Sequence, residues 1–483
     1  MLTRRSTLAG LSSLIATARA GSAAPRQDRH RRADHTISIT NSVLDLGPDA
    51  AVSTTLYNGL FPGPLLRLKE GVQTEVDIKN LTDRPEQLHW HGQNLNALVD
   101  GAAEEGTPFI PARGTRRISF VPGPSGFRFY HTHKFAGKDL SLGLYSGQVG
   151  LVYVEPVRHA GAYDQEVFIV LKEFGPYLTH TEMMSGFLTP TNINLELRAR
   201  ERKSIAEALR HGRRPGYELA YNFQSINGRM LGHGDPIRVR NKQRVRFHIL
   251  NASATQIHSL ALPGHVFRVV ALDGNDVPST KSIPVLWLAP AERICADVDM
   301  LEPGIWILGE VDDAARNGGM GIVVEYASEH GPAQWRKAAR TTWDYRQFSN
   351  HGNQLPNPDE NISLLFETRY GIRDGFDEFT INGMAFSMEK MQPTFRIKHG
   401  RRYRLTLQNA TDDVHPIHLH RHTFDVTSIA GSPVNGLKKD VLMVGGFQEA
   451  TIDFTANQKG LSLFHCHMQS HMDLGFMALF ECQ

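Results

Sequence analysis

The sequence predicts an all-β protein made of three consecutive Greek-key β-barrels. Three observations carry this. A segment repeats three times along the chain, starting at Tyr57, Ile226 and Ile381. The chain is rich in turn formers, with 43 glycines and 25 prolines. Few long stretches have helical period, whereas apolar and polar residues alternate with the period of strands.

Each repeat opens on Asn-Gly, as in YNGLFPGPLL, INGRMLGHGD and INGMAFSMEK. Asn-Gly is a strong hairpin signal because both residues accept positive φ. An alternating strand follows, then an Asn-x-Thr/Ser turn, then a strand containing histidine. Three such units predict barrels or sandwiches over residues 36–158, 159–330 and 361–483. Residues 331–360 read as a linker. One helix is expected at NINLELRARERKSIAEALRHG; its many charges place it on the surface.

The N-terminus carries Arg4 and Arg5, a short mildly apolar stretch, and small residues up to Ala24. Residues 1–24 read as a twin-arginine-type signal peptide. Its apolar stretch is too short to span a bilayer. The mature protein is then periplasmic or secreted and begins with a basic arm, RQDRHRRADH. Charge is balanced, with 52 basic and 50 acidic residues, which gives no case for a nucleic-acid partner.

The histidines carry the chemistry. With 23 in 483 residues, chance gives about one His-X-His pair. The chain has five, in HWHG, YHTH, HPIHLHRH and FHCHMQSH. Imidazole is the commonest metal ligand, and thiolate selects soft metals such as copper. Period-two ligands on segments far apart in sequence predict a shared polynuclear site. The stretch HCHMQSHMDLGFM, residues 465–477, reads as the last strand. On a strand, His465 and His467 face one way and Cys466 the other, so one strand serves two metal sites. The other two cysteines, Cys295 and Cys482, read as buried thiols.

These four histidine segments, in order and spacing, resemble those of the multicopper oxidases, in particular three-domain laccase-like enzymes. The resemblance runs from about residue 36 to the end and implies three cupredoxin-like domains, the second without metal. It implies four copper ions. His415, Cys466 and His471 would hold the type 1 copper, and His89 and His418 the type 2. The type 3 pair would take His91, His131 and His467 on one ion, and His133, His420 and His465 on the other. His422 has no place in this pattern and reads as a residue beside the ligands or on the surface.

The resemblance also implies that Asp100 serves proton delivery near the type 2 copper. Many bacterial members have Glu directly after the last type 1 histidine. Here Met472 stands there, and Asp473 is the candidate substitute. The position of the weak axial ligand is Phe476, which cannot ligate, so a three-coordinate type 1 copper of relatively high potential is expected. The implied activity is one-electron oxidation of phenols or aromatic amines coupled to reduction of dioxygen to water, by a monomer. Oxidation of Cu+ or Fe2+ is the alternative, with Met183, Met184, Met388, Met391, Met468 and Met472 as soft contacts. A copper-binding envelope scaffold would have lost ligands, and a two-domain nitrite reductase-like enzyme would lack the third unit.

Overall fold

The computed structural model describes residues 32–157, 161–179, 193–213, 216–338, 341–350 and 355–483. The expected export signal, most of the basic arm, Met183 and Met184 lie outside these residues. The described residues form six β-sheets in three successive pairs, and the expected all-β class holds.

The repeat has a physical basis in its two asparagines. Asn58, Asn227 and Asn382 all take positive φ, and each is followed by a glycine with positive φ. Each Asn-Gly turn closes a bridge, Tyr57 with Leu60, Ile226 with Arg229 and Ile381 with Met384. Their side-chain oxygens accept from the backbone N–H of Ser38, Val170 and Leu365. The later asparagines, Asn80, Asn251 and Asn409, accept from the backbone N–H two residues on. That short loop satisfies backbone groups where the chain leaves the sheet.

Each pair of sheets has a histidine-bearing strand in one member. His89–His91 is the edge of the sheet ordered Gly63–Lys69, Val149–Glu155, Gly126–His131, His89–His91. His258–Ala261 lies between Val285–Leu288 and Ile305–Glu310 in the second unit. His415–Leu419 lies between Val441–Val444 and Gly460–Cys466 in the third. Alternation works as expected: Trp90, between His89 and His91, is fully buried against Phe120 and Tyr130 in the first core.

The stretch 465–477 is not one strand. A strand ends at Cys466, a helix covers Gln469–Asp473, and a final strand runs Met477–Cys482. Five residues of strand would separate Cys466 from His471 by about 16 Å. The helical turn instead brings both to one place, and Gln469 anchors it to the first unit through Leu144 N–H and Lys134 O.

The expected helix spans Leu195–Arg210, capped by Asn194. It packs on strand Glu360–Arg373 of the third unit, where Ser204 donates to Thr368 O at 2.6 Å and Tyr370 donates to Glu201 at 2.8 Å. It therefore ties two units together, with Glu201 buried in the contact and its other charges facing outward. In the segment before the third unit, Trp343, Tyr345 and Phe348 are buried. Cys295, Cys466 and Cys482 are all buried and free. No helix among the described residues is long and apolar enough to cross a membrane.

Candidate metal centre

The two His-X-His strands of the first and third units meet face to face. His89 stacks on His420 with centroids 4.1 Å apart, and His91 stacks on His418 at 3.8 Å. His131 pairs with His89 across the first sheet, and His465 with His418 across the third. His133 and His467 complete a nest of eight buried imidazoles. Neither unit alone supplies more than four.

Donor atoms within 4.8 Å of one another form separate groups: His91, His131 and His467; His133, His420 and His465; His415, Cys466 and His471. His89 and His418 group with His91, and His89 also groups with Asp100 and His420. These sets suit soft or borderline cations. A fit test on the atoms supports this. His89 Nε2, His418 Nε2, and both ring nitrogens of His133 and His467 are buried without hydrogen-bond partners among the described residues. Buried polar atoms are otherwise paired, so unpaired nitrogens converging on one space fit cations. Burial lowers the pKa of His91, His131, His418, His420, His465 and His467 well below the usual range, so these rings are neutral donors at neutral pH.

Cys466 Sγ points to the other face. It lies 3.7 Å from His415 Nδ1 and 3.5 Å from His471 Nδ1, and those two nitrogens are 3.2 Å apart. Burial pushes the Cys466 thiol up and pushes His471 down to about 3. A cation is therefore needed to make the sulfur a thiolate. Three aromatic rings close the site: Phe379 stacks on His471 at 4.1 Å, Phe476 lies 4.8 Å from His415, and Phe366 lies 4.9 Å from Phe476. Met477 packs elsewhere, with Leu463, Met472 and Leu479.

The carboxylates are arranged less simply. Asp100 ends a short helix, Ala97–Asp100; its backbone oxygen accepts from His89 Nδ1 at 3.0 Å, and its Oδ2 accepts from His420 Nδ1 at 3.0 Å and lies 2.9 Å from His89 Nδ1. Gly101 makes this possible: its φ is +104°, and a Cβ there would lie 1.9 Å from Leu88 O. Asp473 lies on the helix that carries His471. Its carboxylate accepts from Ala136 N–H, Gly137 N–H and Gln469, and burial raises its pKa to about 7. His422 is buried, with Nδ1 donating to His420 O.

Two carboxylates close to Asp100 escaped the sequence reading. Glu104 Oε2 lies 3.4 Å from His133 Nδ1, and Glu105 Oε1 lies 3.5 Å from His420 Nδ1 while accepting from Leu463 N–H. Burial, then the charge of Asp100, holds Glu105 well above the usual carboxylate range. Burial lowers and Glu104 raises His133, and the carboxylate wins. The signal in the sequence was two adjacent acids four and five residues after Asp100, in a pattern indistinguishable from a polar turn.

Comparison with known proteins agrees with this geometry. Three multicopper oxidase family models match residues 39–158, 200–308 and 357–483, together most of the chain. A multicopper oxidase of Mycobacterium tuberculosis is 29% identical, over 97% of this chain and 90% of that protein. A laccase of Fomitopsis schrenkii is 24% identical over 91% of this chain and 88% of its own. A solved multicopper oxidase from Pseudomonas thermotolerans superposes with a TM-score of 0.69 at 24% identity, covering 94% of this chain and all of the other. The folded units are therefore cupredoxin-like, and the chain belongs to the multicopper oxidase family of copper-dependent oxidoreductases.

Proposed function

We propose that the chain is a laccase-like four-copper oxidase. It would take single electrons from phenols or aromatic amines and reduce dioxygen. Four phenols each lose one electron and one proton, and dioxygen takes four of each to give two waters. The observation that carries this reading is Cys466, which faces one donor set while its covalent neighbours His465 and His467 belong to the nest on the opposite face.

In this reading His415, Cys466 and His471 hold the type 1 ion, and His89 and His418 the type 2. His91, His131 and His467 hold one type 3 ion; His133, His420 and His465 hold the other. Bound copper supplies the one-electron chemistry and the binding of dioxygen. The protein's own groups prepare it. The backbone Cys466–His467 joins the two sites through bonds. Asp100 keeps the Nδ1 protons of His89 and His420 in place, through its backbone oxygen and its Oδ2, which leaves Nε2 of each as the lone-pair donor. Glu105 keeps a proton on its carboxyl through burial and the nearby Asp100, and Glu104 faces His133; these two acids stand in for the carboxylate missing at Met472. Asp473 anchors the helix that carries His471, and its carboxyl, raised to about 7 by burial, is the further relay candidate in place of Met472.

The units would divide as 36–158, 159–330 and 361–483, joined by the 331–360 segment. We further propose a periplasmic or secreted monomer, exported through the signal at residues 1–24; replacing Arg4 and Arg5 with lysine should stop its appearance outside the cytoplasm. A second reading, oxidation of Cu+ or Fe2+, draws on Met388 and Met391, which are 37% and 45% exposed. Oxygen uptake by copper-loaded protein separates them. Turnover with 2,6-dimethoxyphenol exceeding that with Cu+ and Fe2+ supports the first reading, and the reverse order supports the second. No uptake with any donor, or one copper per chain, would overturn both.

A further inference from the structure

The second unit has no metal-ligand group among its described residues, yet it reaches the nest. Asp440 is the single residue between strands Ser432–Lys439 and Val441–Val444 of the third unit and is fully buried. Its Oδ1 lies 3.2 Å from His91 Nε2, and its backbone oxygen accepts from His418 Nδ1 at 2.6 Å. One residue thus sets the tautomers of two stacked imidazoles in opposite senses. His91 is left with Nδ1 free, facing His131 Nε2 at 3.4 Å, and His418 is left with Nε2 free.

Asp440 is itself held from the second unit. Arg293 forks onto it, with Nη1 to Oδ1 and Nη2 to Oδ2 both at 2.6 Å. Arg128 of the first unit adds Nη1 to Oδ2 at 3.0 Å. Asp273 of the second unit accepts from the backbone N–H of Asp440 and Val441 at 3.3 and 3.1 Å. It also pairs with Lys439 at 2.9 Å, and Lys439 pairs with Glu292 at 2.9 Å. All six charged side chains are buried, three positive and three negative. The approach needs a glycine: a Cβ on Gly92, directly after His91, would lie 2.6 Å from Asp440 Oδ2 and 2.9 Å from Arg293 Nη2.

We propose that Arg293 and Asp273 are positioning residues for the nest, acting through Asp440. The otherwise metal-free second unit would then be required for metal binding between the other two. Groups that orient ligating histidines commonly change metal affinity about tenfold to a hundredfold. A bidentate arginine is not replaced by lysine, which keeps the charge but loses the fork.

The inference rests on the copper assignment above, and its test keeps the two apart. Copper-loaded wild type, Arg293→Lys and Asp440→Asn are dialysed against a graded copper chelator. Copper per chain, the type 2 paramagnetic signal and the blue thiolate band are followed. His258→Gln, which breaks a buried ion cluster of the second unit away from the nest, serves as the control for lost stability. Both test variants should release the nest copper at about tenfold lower chelator while keeping the blue band, and His258→Gln should release it as wild type does. If Arg293→Lys retains nest copper as tightly as wild type, or loses it only together with the blue band, the inference is overturned. If wild type itself carries no nest copper, the copper assignment fails instead. Should Arg293→Lys not fold, Asp440→Asn decides by the same readouts.

Discussion

The ring of Phe476 lies 4.8 Å from that of His415, centroid to centroid, beside the sulfur site. An apolar ring there offers no lone pair. Phe476→Met restores a soft thioether and should stabilise the oxidised ion. A redox titration of the blue band should show a lower potential, at a stability cost of about 1 kcal/mol for a near volume-conserving core exchange. An unchanged potential would mean that Phe476 is not the axial residue.

Asp100 holds two rings, His89 through its backbone oxygen and His420 through its Oδ2, which also lies 2.9 Å from His89 Nδ1. Asp100→Asn keeps the shape but loses the charge. Oxygen consumption should fall about a hundredfold, the low end for a positioned acid–base group. Reduction of the blue centre by a phenol, followed anaerobically by stopped flow, should be unaffected. Equal losses in both measurements would assign Asp100 to the fold alone.

His258 opens its strand in the second unit as His415 does in the third, each opposite the last residue of the neighbouring strand, but acids surround His258. Its Nδ1 lies 2.9 Å from Glu310, and its Nε2 contacts Glu173. Burial alone would lower its pKa; the two carboxylates outweigh it and push it up to about 10 from 6.5. The folded state therefore binds a proton that the unfolded state releases. Stability from this charge is complete below pH 6.5 and is lost as pH rises to 10. His258→Gln should cost about 3–5 kcal/mol at low pH, because it leaves two buried carboxylates unpaired. Denaturant titrations at pH 6, 8 and about 10 should show the gap to wild type narrowing with pH. A constant gap would contradict an imidazolium.

Gly101 has φ +104°, and a Cβ on it would strike Leu88 O and His89 Cα. Gly101→Ala should push Asp100 away from His89. The strain is about 1–3 kcal/mol, with a further loss from displaced backbone. The same variant should lower copper content at the nest, measured by elemental analysis against the blue band.

Removing copper should destabilise the whole chain. The unpaired nitrogens of His89, His133, His418 and His467 converge where the first and third units meet. Ions bound there favour the folded state by mass action, about 4 kcal/mol at a thousandfold excess over Kd. Calorimetry with and without chelator should show a clear fall in Tm.

The repeat, the all-β class and the grouping of histidines were legible because their physics is local. Asn58, Asn227 and Asn382 make the same turn wherever the chain runs, and period two sorts Cys466 from His465 and His467. The path after Cys466 was not legible. Whether QSHMD continues a strand or turns into a helix depends on Gln469 finding Leu144 N–H and Lys134 O in another unit.

By itself the sequence determined which side chains carry the chemistry, since ligand type and spacing are properties of the chain. Tertiary structure decided what surrounds them. Glu104 and Glu105 look like turn residues until His133 and His420 arrive, and Arg293 looks like any strand arginine until Asp440 is placed on it. Charges meet across hundreds of residues only after the three units have packed together. Burial then gives each such meeting its strength, and no local pattern encodes it.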